Sequence, residues 1–288
     1  MSRSLADLLP ADGGPVGLRV WLKSSAYCQR LLLGASGDPW ASASQYLAYF
    51  SQAQGLLKPD VAVLEVGELF ASWLGRNPGL KPELVGKRKL SFPLRKLLEQ
   101  EAPRQLLGEI VTAVLAHLRG QVPLVLAMPS PRQWLHQANS LAGREAIEVD
   151  PDSVEDAAMY IADLARAVSV HEVGGLLLEE DIGDATAGAT DLELYRPIIN
   201  VAKHYRWPLA VRLGAAGVLA NPALAEIDVL IGGGHRPEGG LAHGREVSAE
   251  LWGKGTLPSL AAEQFYFVEV PRDEQPEHVL DCLARLRA

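Results

Sequence analysis

Residues 173–181, VGGLLLEED, decide the fold. A short apolar run bounded by turn signals reads as a strand buried on both faces, as in a parallel sheet. This one ends abruptly in Glu179, Glu180 and Asp181. In parallel α/β folds ligands bind beyond the carboxyl ends of the strands, so the three acids stand where a site is expected.

Working outward, residues 154–170 upstream read as a helix, started by the Asp150-Pro151-Asp152-Ser153 cap signal. Downstream, residues 192–204 are the next helix, and residues 207–214 (WPLAVRLG) and 227–234 (IDVLIGGG) are the next two strands. Only a brief helix fits between those strands, at 215–225. Residues 243–252 are ambiguous, and QFYFVEV at 264–270 is a last strand before a helix at 276–287. Toward the N-terminus, residues 122–129 (VPLVLAMP) form a strand after a helix at 102–119, and Pro129-Ser130-Pro131 reads as an extended loop. Residues 61–67 (VAVLEVG) form a strand after a helix at 39–57, delivering Glu65 and Glu68 to its end. Residues 16–22 (VGLRVWL) form the first strand, ending at Lys23, Ser24 and Ser25. Residues 75–92 carry no clear pattern, and their Lys87, Arg88 and Lys89 read as a solvated loop rather than a phosphate site.

Counting the ambiguous segment gives eight strand units, the arithmetic of a (β/α)8 TIM barrel of a single domain over residues 1–288, with an irregular segment at 1–15. An open doubly wound sheet is the alternative. It would need a glycine-rich first βα turn, and no G-x-G-x-x-G follows the first strand.

A net charge of −8 and a pI near 5.4 weigh against nucleic acid or an anionic membrane as general partners. Cys28 and Cys282 are far apart and in no CxxC, which fits free thiols in a reducing cytoplasm. The opening MSRSLADLLPADGGP has no long apolar core, so neither a signal peptide nor a spanning helix is expected, and a soluble cytoplasmic protein is.

From residue 45 to 287 the order and wording of the segments resemble the uroporphyrinogen decarboxylase and cobalamin-independent methionine synthase-like barrels. The resemblance is carried by LLKPDVAVLEVG, VPLVLAMPSP, DPDSVEDAAMYIADLARAV leading into GGLLLEED, LYRPIINVAKHYRWPLAVR, and EQPEHVLDCLARLR. It implies a TIM barrel and chemistry of the lyase or transferase kind. The departures narrow this. Where zinc-dependent members carry H-x-C-G, this chain has Arg212 at the histidine position and Gly214 at the cysteine position, and no cysteine follows in residues 232–252. No metal and no other cofactor is therefore expected. The decarboxylase branch's R-Q-A-G-R loop has no counterpart: Tyr27-Cys28-Gln29-Arg30 shares only the Gln and one Arg. Its histidine-glycine pair falls at Val268 and Glu269, and its catalytic aspartate lies near Glu65 and Glu68, either of which could substitute.

The remaining candidates are polar residues at strand ends. Glu65, Glu68, Glu179, Glu180, Asp181 and Arg212 form a catalytic set, because paired carboxylates can split their pKa values into acid and base, and an arginine can hold an anion. Ser130 and the glycine-rich Gly233, Gly234, His235 and Arg236 are ligand-binding candidates, with His243 further along the same segment. Strand-end acids also cap helices or pair with arginine for purely structural ends. Two functions stay open. One is a metal-independent enzyme acting on a small anionic molecule. The other is a barrel without catalysis that serves as a binding or assembly subunit, as a homodimer or with a partner.

Overall fold

The computed structural model describes residues 3–9, 17–85, 88–144, 147–180, 191–214, 225–232 and 241–287. Its eight strands are β1 (Val20–Lys23), β2 (Ala62–Glu65), β3 (Leu124–Pro129), β4 (Gly175–Glu179), β5 (Leu209–Leu213), β6 (Val229–Gly232), β7 (Ala242–Glu246) and β8 (Gln264–Glu269). All neighbours are parallel, in the order β1-β8-β7-β6-β5-β4-β3-β2. The sheet is a nearly closed (β/α)8 barrel, with β1 and β2 facing each other across the one seam.

The described helices are α1 (Ser25–Leu33), α2 (Ala43–Leu57), α3 (Val66–Arg76), α4 (Lys81–Leu84), α5 (Ser91–Leu98), α6 (Glu101–Leu118), α7 (Pro131–Leu141), α8 (Pro151–Arg166), α9 (Asp191–Leu194), α10 (Arg196–Tyr205), α11 (Ser248–Trp252) and α12 (Pro276–Arg287). Their apolar faces cover the outside of the barrel in one continuous buried cluster. A second cluster fills the inside. Trp21, Val125, Ala127, Leu177, Ala210, Ile231, Phe265 and Phe267 meet there, one inward residue in every two along each strand. Gly244 makes room for the aromatic pair: a Cβ at this position would lie 2.8 Å from the Phe265 ring and 3.0 Å from Ile231. A 3-10 turn, Leu5–Leu8, plugs the N-terminal end, with Leu5 N–H donating to Gly174 O at 2.8 Å.

Several local expectations change. Pro129-Ser130-Pro131 is no extended loop but a helix start: the Ser130 hydroxyl accepts from Gln133 N–H at 3.1 Å, and Pro131 occupies the first turn of α7. Proline there lacks a donor the helix would not have used anyway. Residues 75–92, which carried no pattern, hold a 3-10 turn at Pro78–Leu80, then α4 and the start of α5. The helix expected at 39–57 is a 3-10 turn, Pro39–Ala41, followed by α2, because Ser42 caps a fresh start by accepting from Gln45 N–H. Residues 243–252 resolve into β7 and α11. The strand expected at 61–67 ends at Glu65, and Glu68, expected just past its end, stands in the first turn of α3. The helix expected at 215–225 falls almost wholly outside the described residues.

Candidate active site at the barrel mouth

The last inward-facing position of six strands is charged. Lys23 ends β1, Glu65 ends β2, Glu179 ends β4, Arg212 lies one residue from the end of β5, Glu246 ends β7 and Glu269 ends β8. The register sets Lys23 beside Glu269 and Glu179 beside Arg212. An apolar barrel interior is thus capped at its C-terminal end by a layer of ionisable side chains.

Two cations organise four carboxylates. Lys23 Nζ donates to Glu179 Oε1 at 2.7 Å and Oε2 at 2.6 Å, and lies 3.4 Å from Glu65 Oε1. Arg212 Nη1 reaches Glu179 Oε1 at 3.1 Å and Glu269 Oε2 at 2.7 Å, while Nη2 donates to Glu246 Oε2 at 2.9 Å. The guanidinium also lies over the Phe267 ring, 4.7 Å from its centroid. Its side chain is 5% exposed. Ser248 extends the network, donating its hydroxyl to Glu246 and accepting from Glu269 N–H at 2.9 Å.

Burial and charge pull the acids apart. Glu65, fully inside, is pushed up to about 8: burial raises it most, Lys23 opposes, and the charges of Glu179, Glu68 and Glu269 raise it further. Glu68 is raised by the same burial, against the pull of Lys23. Burial would raise Glu179 too, but Lys23 and Arg212 together outweigh it and hold that carboxyl below its usual range. Burial alone would lower Lys23, yet Glu65, Glu179 and Glu269 keep the ammonium above its ordinary value. Arg212 is likewise raised, its desolvation outweighed by Glu246, Glu269 and Glu179.

The expected site residues are therefore only partly gathered. Glu65, Glu179 and Arg212 share the network, with Glu68 close enough for its charge to be felt. Glu180 has partners of its own: Ser130 donates to Glu180 Oε2 at 2.6 Å and Tyr195 donates to Oε1. Ser130 is wholly buried, and its hydroxyl donates to Glu180 and accepts from Gln133 N–H at the α7 N-terminus. Asp181, Gly233, Gly234, His235 and Arg236 lie outside the described residues. His243 is buried on β7, its ring nitrogens against Gly232 O at 3.2 Å and Gln264 at 3.5 Å. Lys23, Glu246 and Glu269 were missed, although each is the final residue of its strand, the rule that had singled out Glu65 and Glu179.

A pocket of about 260 Å³ opens over part of this layer, walled by Lys23, Pro129, Glu179, Glu180, Arg212 and Glu269 with Gln133 and Gln137 of α7; Glu65 lines instead a small cavity between β1 and β2, behind Lys23. A larger cavity of about 1260 Å³ shares Arg212 and Glu269 and extends past Glu246 toward Trp252 and Arg272. Gly67 lets α3 sit close at the rim, since a Cβ there would meet Pro129 Cγ at 2.9 Å. Among the described residues no group of three or more His, Cys, Asp or Glu is arranged to hold a metal ion. No described helix is long and apolar enough to cross a membrane.

No family model matches the chain and no curated protein matches it. Among solved structures, it is similar to a methyltransferase from Methanosarcina mazei, at 10% identity and a TM-score of 0.53, over 97% of this chain and 96% of that one. At that identity the likeness establishes a shared barrel fold.

Proposed function

We propose that this chain is an enzyme of the lyase or group-transfer kind, a divergent uroporphyrinogen decarboxylase and methionine synthase-like barrel, in which Glu65 donates a proton to substrate while Glu179 stays ionised. The observation that carries this reading is that two carboxylates share the Lys23 ammonium in different surroundings: burial pushes Glu65 up to about 8, whereas Lys23 and Arg212 together hold Glu179 below its usual range. A carboxylic acid kept neutral at ordinary pH beside fixed charges is what general acid catalysis requires. Glu65 does not itself line the pocket, so its proton passes by way of Lys23, which stands on the pocket wall 3.4 Å from Glu65 Oε1: Lys23 gives a proton to substrate and takes the one from Glu65, and the new carboxylate keeps the ammonium beside it. Arg212 acts as a positioning residue, since both ends of its guanidinium are taken by carboxylates.

The pocket suits a small molecule. With Glu65 neutral, three ionised acids of the described network face two cations, which favours an uncharged or positively charged group beside Glu179 and Glu269. The anionic ligand suggested by the sequence would need the positive charge of Arg236, outside the described residues. The reading without catalysis, a binding or assembly subunit, is favoured by one fact: Arg212 is buried among three acids, as a structural bridge would be.

The test is a panel of small amino, hydroxy and carboxylic compounds assayed for loss of a carboxyl group and for methyl transfer. Glu65→Gln is expected to lower any activity found by a factor of about 10²–10⁴, the range of a general acid. Activity that survives the change rules the acid role out. Glu65 titrating in the ordinary carboxylate range by carbon-13 NMR, with no compound turned over, selects the subunit reading.

A further inference from the structure

The seam between β1 and β2 leaves the barrel's backbone hydrogen bonding incomplete. Successive residues of a strand direct their N–H and C=O groups to alternate edges. In β1 the edge toward β8 is used by Arg19 O and Lys23 O, which accept from Tyr266 N–H at 2.9 Å and Val270 N–H at 2.8 Å, so Leu22 faces β2. In β2 the edge toward β3 is used by Ala62, whose N–H donates to Pro123 O at 3.0 Å, so Val63 faces β1. β1 and β2 are the two ends of the sheet order and form no ladder with each other, so the edges on which Leu22 and Val63 stand are not paired by a neighbouring strand. Leu22 is buried and Val63 half-buried, and backbone groups in such places are paired with water when protein does not serve.

The space for water is there. A cavity of about 50 Å³ lies against the seam, walled by Leu22, Ser25, Tyr49, Gln54, Val63 and Glu65. A water in the liquid occupies about 30 Å³, so one or two fit. At its lower end Gln54 and Pro59 also line an open groove of about 680 Å³ that includes Lys58 and Asp60. At its upper end Ser25 Oγ donates to Glu65 Oε1 at 3.3 Å.

We propose that the β1–β2 seam is a hydrated path by which protons reach Glu65 from the N-terminal side of the barrel, apart from the mouth that admits substrate. The proposal rests on Glu65 being the acid. After Glu65 has given its proton to substrate, a proton from solvent crosses the seam water and bonds to Oε1, restoring the carboxylic acid with nothing else consumed. The groups facing Glu65 are Lys23 of β1, Ser25 of α1, Glu68 of α3, Glu179 of β4 and Glu269 of β8. Cys28 also borders the seam, but burial pushes its thiol up to about 11, so it keeps its proton and does not interrupt the path.

Infrared spectroscopy of the full chain tests this. The carbonyl band of the protonated Glu65 carboxyl, identified by its loss in Glu65→Gln, is followed on rapid transfer into heavy water. Ala53→Leu, which fills the seam from α2, is expected to slow deuteration about tenfold or more, equivalent to a barrier raised by about 1.4 kcal/mol. Gln54→Leu, at the half-exposed lower end, should slow it as well and serves if Ala53→Leu does not fold. Unchanged deuteration in folded seam variants overturns the path while leaving Glu65 as the acid. Slowing by Gln137→Leu at the mouth, with none from the seam variants, also overturns it. Absence of the band from the wild-type protein at neutral pH overturns the acid reading and the path with it.

Discussion

Replacing Arg212 by alanine strands three carboxylates around Lys23 as the remaining cation of the network. Removing one partner of a buried ion pair typically costs about 3–5 kcal/mol. The partners are unequally buried, with side chains 16% exposed at Glu179, 30% at Glu246 and 38% at Glu269. Glu246 and Glu269 can regain water, and Glu179 keeps Lys23, so the ion-pair loss should lie near the lower end, about 3 kcal/mol. The lost stacking on Phe267 adds about 1 kcal/mol. In a chain of this size the combined loss of about 4 kcal/mol corresponds to a fall in melting temperature of roughly 8–16 °C. The sign of the pH dependence follows from Glu179. Its folded pKa is depressed, so its stabilisation is present above the unfolded value and lost as pH falls through the folded one. The gap between wild type and Arg212→Ala should therefore be widest near neutral pH and shrink in acid. Urea unfolding at a series of pH values measures it, with Arg212→Lys expected to recover part, because a single ammonium cannot span all three acids. A loss under about 1 kcal/mol at neutral pH would refute the reasoning, since the carboxylates would then be relieved by water alone.

Other measurements bear on the same structure. Glu65 has a raised folded pKa, so its contribution is complete below the unfolded value and disappears as pH climbs through about 8. Wild-type stability should decline over that window while Glu65→Gln stays flat, and parallel curves would remove the buried neutral acid. Gly244→Ala pushes a methyl against the Phe265 ring and should cost about 1–3 kcal/mol by overpacking, read from the urea midpoint; a neutral result would mean the interior yields there. Ser130→Ala removes the α7 cap and one partner of Glu180 and should cost about 1–2 kcal/mol; Ser130→Thr, which keeps the hydroxyl, should recover most of it.

Legibility ran along the strands. VGGLLLEED and VPLVLAMP are apolar on both faces because helices cover one and the barrel interior the other, so their pattern alone implies a parallel sheet, and chirality then leaves few ways to connect eight of them. The end of a strand is equally local, which is why Glu65 and Glu179 could be found. Lys23, Glu246 and Glu269 obey the same rule, but AHGRE carries no apolar run to mark it as a strand, the apolar pattern of QFYFVE runs on to Val270, and a lysine closing VWLK reads equally as solvated. Which neighbours a side chain meets is not local at all. Glu179 and Glu180 are adjacent in sequence, yet pleating sends one to Lys23 and Arg212 and the other to Ser130 and Tyr195. Sequence determined that acids would crowd the end of a parallel barrel. Tertiary structure alone decided that Glu65 is pushed up while Glu179 is held down, because a pKa is set by burial and by charges brought together from strands more than a hundred residues apart in the chain.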